Sequence, residues 1–226
     1  MWSSFLNLLF PKLCFGCQEM LLNNEEVICR LCRNSLPLTH HCNMVKNEAT
    51  RKFYGRIPIE YASSFLYYSK GGIVQNILHH LKYRNQPEIS YFLGKMYAQK
   101  LLSSPYYKHL DAIIPVPLHK DKLRSRGYNQ LNGFAQALSE ELKIPIANHL
   151  LYKTKNYSSQ TKKSIFDRTS KTEEKFEIKY NLEDSNKHYL LIDDILTTGG
   201  TIESCAKKIL QIPNCKISIA CLASTR

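Results

Sequence analysis

The 226-residue sequence contains no apolar run long enough to cross a membrane as a helix. Its opening stretch, MWSSFLNLLFPK, is apolar but has neither a basic leader nor a small-residue cleavage site, which argues against a secretory signal. That stretch reads instead as a short amphipathic segment packed on the module that follows it. Acidic residues are scarce, with 19 Asp and Glu against 31 Lys and Arg, for a net charge of +12. Such an excess favours anionic ligands without choosing among nucleotides, pyrophosphate, nucleic acid and anionic lipid. There is no internal repeat. These absences point to a cytoplasmic, reducing compartment in which disulfides rarely persist, so paired cysteines turn toward metal.

Five of the eight cysteines lie in the first 42 residues. Cys14, Cys17, Cys29 and Cys32 form C-x2-C-x11-C-x2-C, and each pair can present two thiolates from one tight turn, with Gly16 easing the first. Four thiolates close a tetrahedral shell, so the pattern predicts a structural Zn2+ site and not a catalytic one. His40, His41 and Cys42 stand nearby but are not needed as ligands. Cys205, Cys215 and Cys221 are isolated among apolar or helical residues and read as small core side chains.

Residues 1–55 are expected to form the zinc-binding module and a polar, basic linker (about Asn43 to Ile57), with a second domain over 56–226. In that domain Tyr61–Tyr68, Ala112–Val116, Leu190–Ile192 and Ile217–Leu222 read as strands, and a short strand is expected within Ile144–Leu151. Helical spacing covers Ile73–Leu81, Tyr91–Leu102, Gly127–Leu142 and Thr201–Leu210. Alternating strands and helices predict an α/β fold with a mainly parallel sheet. Lys153–Lys175 is rich in Lys, Ser and Thr and predicts a mobile loop.

The densest motif is Tyr189-Leu-Leu-Ile-Asp193-Asp194-Ile-Leu-Thr197-Thr198-Gly199-Gly200-Thr201. A buried strand ends in two carboxylates, and hydroxyls and glycines then let the backbone turn its N–H groups inward at a helix start, an anion cradle. Carboxylates beside phosphate-binding amides suit a sugar phosphate whose hydroxyls need acceptors. The string resembles the phosphoribosyl pyrophosphate (PRPP) motif of type I phosphoribosyltransferases. That resemblance implies that Thr197, Thr198, Gly199, Gly200 and Thr201 hold the 5′-phosphate while Asp193 and Asp194 contact the ribose hydroxyls.

A second string, Asp111-Ala-Ile-Ile-Pro115-Val-Pro117 continuing to Arg124-Ser-Arg126-Gly127-Tyr128-Asn129-Gln130, carries a strand into a proline-stiffened turn, two arginines and a helix start. Arginine forks bind phosphates bidentately, which makes Arg124 and Arg126 candidates for the pyrophosphate. With the cysteine module, these motifs stand in the order of the ComF/ComFC-type (GntX-like) competence proteins, and the resemblance covers nearly the whole chain. His80-Leu81-Lys82-Tyr83 is similar to that family's helix-end H-x-K-Y/F element, adding Lys82. Lys153, Gln160, Arg168 and Phe176 resemble its active-site loop, but Lys153, Lys163 and Lys171 replace the usual Arg, Leu and Asn. At Lys153 the charge survives and the bidentate fork does not; Gln160 and Arg168 remain the loop candidates.

The resemblance implies a type I phosphoribosyltransferase fold with an appended zinc module, PRPP and Mg2+ as ligands, and a role in DNA uptake and natural transformation. Asp193, Asp194, Arg124 and Arg126 would be its catalytic residues. No nucleophile pocket and no Cys-first glutaminase domain is recognisable, so the acceptor is open. Three readings stand side by side: a phosphoribosyltransferase, a single-stranded DNA-handling factor working with DNA-uptake proteins, and a PRPP-sensing regulator. Basic charge and aromatics suit the second.

Overall fold

A computed structural model describes residues 11–118, 123–124, 127–154 and 176–226. In chain order its elements are α1 (Arg30–Asn34), α2 (Glu48–Arg51), β1 (Tyr61–Tyr67), α3 (Ile73–Tyr83), α4 (Glu88–Leu102) and β2 (Ala112–Pro115). There follow α5 (Leu131–Leu142), β3 (Leu151–Lys153), β4 (Phe176–Ile178), β5 (His188–Leu196), α6 (Gly200–Ile209) and β6 (Lys216–Ser224).

β1, β6, β5 and β2 lie side by side in that order, every pair parallel, and β3 pairs with β4 as a separate antiparallel hairpin. The α/β fold with a parallel sheet expected from the alternating pattern is therefore present. Tyr189–Ile192 is buried throughout because β2 and β6 flank it and helices cover the sheet; a continuous apolar run is what such a position selects. Ser63, inward-facing on β1, hydrogen-bonds the hydroxyls of Tyr97 (2.5 Å) and Tyr107 (2.6 Å), and Tyr107 also donates to the Ile219 carbonyl at 3.0 Å. Burial of tyrosine in the core thus comes with a partner for each hydroxyl.

Several boundaries differ from the sequence expectation. β5 does not stop at Ile192 but runs on through both aspartates to Leu196, because β6 continues beside it with Asp193 opposite Cys221 and Leu196 opposite Ser224. α5 begins at Leu131, not Gly127: Gly127 sits at φ +76°, outside the helical region, and the Asn129 side chain accepts the Leu131 N–H at 3.0 Å in the turn that precedes the helix. Within 144–151 the sheet gains only a single parallel bridge, Ile146 to Ile113.

The stretch read as a linker is packed. Ala49 and Phe53 are fully buried, and the Asn47 side chain caps α2 by accepting the Thr50 N–H while donating to the carbonyls of His41, Met44 and Ala62. Its polar residues hold the backbone in place, a role that composition alone does not distinguish from solvation.

Candidate functional site

The chain leaves β2 outward, through α5 to the bridge at Ile146, and leaves β5 in the opposite direction, through α6 to β6. Crossovers of this kind are right-handed, which sends α5 and α6 to opposite faces of the sheet. In open α/β sheets the place where such connections diverge, beyond the carboxyl ends of the two strands, is where ligands bind; here those strands are β5 and β2. The two motifs singled out in the sequence meet there, since β2 and β5 are hydrogen-bonded neighbours with Pro115 opposite Ile192.

Asp193 and Asp194, adjacent on a strand, face opposite sides. Asp194 is buried, and its Oδ2 lies 2.9 Å from Lys82 Nζ and 3.1 Å from the donor Nε2 of Gln130, itself buried. Lys82 comes from the last turn of α3 and Gln130 from the residue before α5. Tyr128 closes the set by donating its hydroxyl to the Leu81 carbonyl. Gln130 and Tyr128 are visible in the sequence only as part of a helix start, and nothing there signals that they meet Asp194 and α3. Asp193 is the more exposed carboxylate, and its Oδ1 accepts the Asp194 N–H at 2.8 Å. Burial, with both carboxylates close by, pushes the Cys221 thiol well up, so it stays protonated core packing.

Beyond β5 the chain turns through Thr197 and Thr198, both exposed, into Gly199 at φ +80°, and α6 starts at Gly200. Gly199 is required twice over, because a Cβ there would also lie 2.8 Å from Phe53 Cε1. The back of this turn is held from α2 and the residues after it. Lys52 Nζ donates to the Thr197 carbonyl at 2.7 Å and to the Thr225 carbonyl at 3.0 Å. Arg56 Nη1 donates to the Thr198 carbonyl at 2.7 Å, and its Nε donates to Glu203 in the first turn of α6 at 2.9 Å. Hydrogen bonds from Lys207 and then Arg56 hold the Glu203 carboxyl below its ordinary range. Lys52 and Arg56 fall in the stretch expected to be linker, and no local pattern ties them to the glycines. The first N–H groups of α6 have no partner within the helix and carry the positive end of its dipole, so the turn suits an anion.

Lys82, Gln130, Asp193, Asp194 and Thr197–Thr201 thus gather around one sheet end. Arg124 is exposed, one turn before Gly127, whose N–H bonds the Leu123 carbonyl at 2.8 Å. Arg126, Gln160 and Arg168 lie outside the described residues.

At the other end of the chain the sulfurs of Cys14, Cys17, Cys29 and Cys32 all lie within 4.8 Å of one another. The Cys17–Cys29 sulfur separation is 3.7 Å, close to the roughly 3.8 Å edge of a tetrahedron with metal–sulfur bonds of about 2.3 Å. Backbone N–H groups of Gly16 and Cys29 point at Cys14 Sγ (3.4 and 3.2 Å), and that of Cys32 at Cys29 Sγ (3.4 Å). Burial pushes the Cys14 thiol up, but backbone N–H donors outweigh it and bring it down to about 7. A Cβ on Gly16 would lie 2.8 Å from Cys32 Sγ, so the turn needs glycine for space. His41 is not part of the cluster; it pairs with Glu48 at 2.7 Å. The cluster docks on α3, where Asn76 donates to the Gly16 carbonyl at 2.9 Å and Phe15 packs against His80.

Residues 66–226 match the family described as PRTase-CE. Competence protein F of Haemophilus influenzae is 32% identical over 103 residues, spanning 45% of this chain and 45% of that protein. Competence protein ComFC of Bacillus subtilis is 27% identical over 203 residues, 88% of this chain and 78% of that one. Among solved structures, the adenine phosphoribosyltransferase of Leishmania tarentolae aligns with a TM-score of 0.38 and 14% identity, covering 79% of this chain and 88% of that one. Matched over residues 66–226, the chain belongs to the PRTase-CE family, and its four-cysteine cluster precedes the matched region.

Proposed function

We propose that the protein binds PRPP with Mg2+ and transfers its phosphoribosyl group to an acceptor. The observation that carries this reading is the continuity from Asp193 and Asp194 at the end of β5, through the Thr197–Gly199 turn, to the start of α6, all at the carboxyl end of the sheet beside β2. The turn would bind the 5′-phosphate. Asp193, the more exposed carboxylate, would accept hydroxyl hydrogens of the ribose, and Asp194, joined to Lys82 and Gln130, would set the ammonium of Lys82 facing the departing pyrophosphate. Arg124 would meet the same group, and Arg126, Gln160 and Arg168 join this reading from the sequence alone.

In the transfer the bond from ribose C1 to the pyrophosphate oxygen breaks with its electron pair staying on oxygen, and a bond from C1 to the acceptor forms. Positive charge grows on the ribose and negative charge on the leaving group. Catalysis therefore needs fixed cations on the pyrophosphate side and carboxylates on the sugar side. Mg2+ when bound neutralises pyrophosphate charge, held largely by substrate oxygens and water, as that ion prefers. The four-cysteine cluster would hold a structural Zn2+ ion, and the reducing compartment that keeps such thiolates available would be the cytoplasm.

A calorimetric titration of PRPP with Mg2+ tests the reading, alongside a product assay offering nucleobases, amines and oligonucleotides as acceptors. Binding abolished by Asp193→Asn with Asp194→Asn, and pyrophosphate release that depends on one acceptor, are the expected results. Binding without release would leave a PRPP-sensing regulator. No binding at all would sink both.

A second reading, single-stranded DNA handling alongside DNA-uptake proteins, is favoured by the net charge of +12 and by the competence names of the relatives. It predicts an affinity for oligonucleotides that falls steeply with salt, through counterion release. An affinity independent of salt would remove it.

A further inference from the structure

The segment that joins the cysteine cluster to the sheet touches the phosphate turn at more points than any connector needs. Lys52 and Arg56 each place a cation on a carbonyl of that turn, Thr197 and Thr198 respectively, both at 2.7 Å. Phe53, fully buried between them in sequence, lies against the Gly199 Cα position. Arg56 is itself held by the Lys52 carbonyl at 2.7 Å and by Glu203, so its guanidinium spans α2, the turn and α6.

A trans peptide is planar, and its C=O and N–H point in opposite directions. No peptide among the described residues is cis. Fixing the Thr197 carbonyl toward Lys52 therefore turns the Thr198 N–H away from α2, and fixing the Thr198 carbonyl toward Arg56 does the same for the Gly199 N–H. Both donors then point to the open side of the turn. A cation on each carbonyl also polarises its peptide, which strengthens the N–H as a donor. Neither residue has to touch the ligand for this to act.

We propose that Lys52 and Arg56 are positioning residues that clasp the Thr197–Gly199 turn from behind and aim its amides at a phosphate monoester. The proposal rests on the phosphoribosyl reading of the site. It makes the stretch between the cysteine cluster and β1 a part of the binding machinery.

The test compares three probes by calorimetry on the full chain: ribose 5-phosphate, which carries only the 5′-phosphate; inorganic pyrophosphate with Mg2+, which does not; and PRPP with Mg2+. In Lys52→Met and Arg56→Met, affinity for ribose 5-phosphate and for PRPP should each fall about tenfold or more, with pyrophosphate binding unchanged. Arg56→Lys, which keeps the charge and loses the fork that reaches both Thr198 and Glu203, should fall between wild type and Arg56→Met. It also serves if Arg56→Met does not fold. Wild-type affinity for ribose 5-phosphate in folded Arg56→Met or in Arg56→Lys would overturn the clasp while leaving the phosphoribosyl reading standing. An equal loss for all three probes would reduce the contacts to fold maintenance and overturn it as well. Wild-type protein that binds neither ribose 5-phosphate nor PRPP would remove the underlying reading, and the clasp with it.

Discussion

Lys82 Nζ lies 2.9 Å from Asp194 Oδ2, joining the last turn of α3 to the carboxyl end of β5. Both side chains are largely withdrawn from solvent, so each is the other's main compensation for lost hydration. The contact ties a carboxylate of the PRPP-like motif to a helix whose N-terminal half carries the cysteine cluster, through Asn76 and Gly16. The expected sugar-binding and pyrophosphate-binding residues are thus one electrostatic unit, and Gln130 belongs to it.

Removing one partner of that unit should be worse than removing both. Lys82→Met leaves the Asp194 carboxylate buried with the Gln130 amide beside it but without the ammonium, and should destabilise the fold by about 1–3 kcal/mol. Lys82→Met with Asp194→Asn should recover part of the loss, giving a coupling energy of about 0.5–3 kcal/mol. Urea unfolding of the four proteins of the cycle measures it; strictly additive losses would show that the pair is not coupled.

Gly199→Ala should lower stability by about 1–3 kcal/mol, since it combines an unfavourable φ of +80° with a Cβ 2.8 Å from the Phe53 ring. Phe53→Leu in the same protein should relieve the steric part only. Thermal denaturation compares them, and an unchanged midpoint in Gly199→Ala would contradict the turn geometry.

Metal analysis of purified protein should find one zinc per chain, with loss of zinc and of soluble yield in Cys14→Ser. Cys17 is the exposed member of the four, so in chelated protein it should be the first to react with a thiol reagent. Cys205 and Cys221, fully buried, should remain unmodified until unfolding. Full zinc retention in Cys14→Ser would rule out the four-thiolate site.

Stability should decline as pH falls from neutrality. Burial holds the His41 imidazole below its ordinary range despite Glu48 beside it, and burial does the same for His188. The unfolded chain therefore binds protons on these histidines at a higher pH than the folded one. Their contribution is fully present above the unfolded value of about 6.5 and is lost as pH drops toward the lower folded values. The Glu48 carboxyl, held down first by its own backbone N–H and then by His41, extends the loss into the carboxylate range. Replacing His41 by Gln should flatten the part of the curve near pH 6, read by urea midpoints from pH 8 to 4. An unaltered curve would assign that region to other groups.

What the sequence determined by itself is what neighbours along the chain decide. The parallel α/β character follows from runs such as Tyr189–Ile192, and the four-cysteine cluster from two C-x2-C turns, because a single turn of backbone sets each local geometry. The strand–turn–helix bearing Asp193 to Thr201 was legible for the same reason, apart from the end of β5, which depends on how far β6 runs beside it. Only the tertiary structure decided which strands adjoin, that Lys82 and Gln130 converge on Asp194, and that Lys52 and Arg56 grip the turn from the stretch read as linker. Those last contacts join residues 145 and 142 positions apart. A lysine destined for a carbonyl and one destined for water have the same local pattern, and only the crossing of the chain over itself separates them.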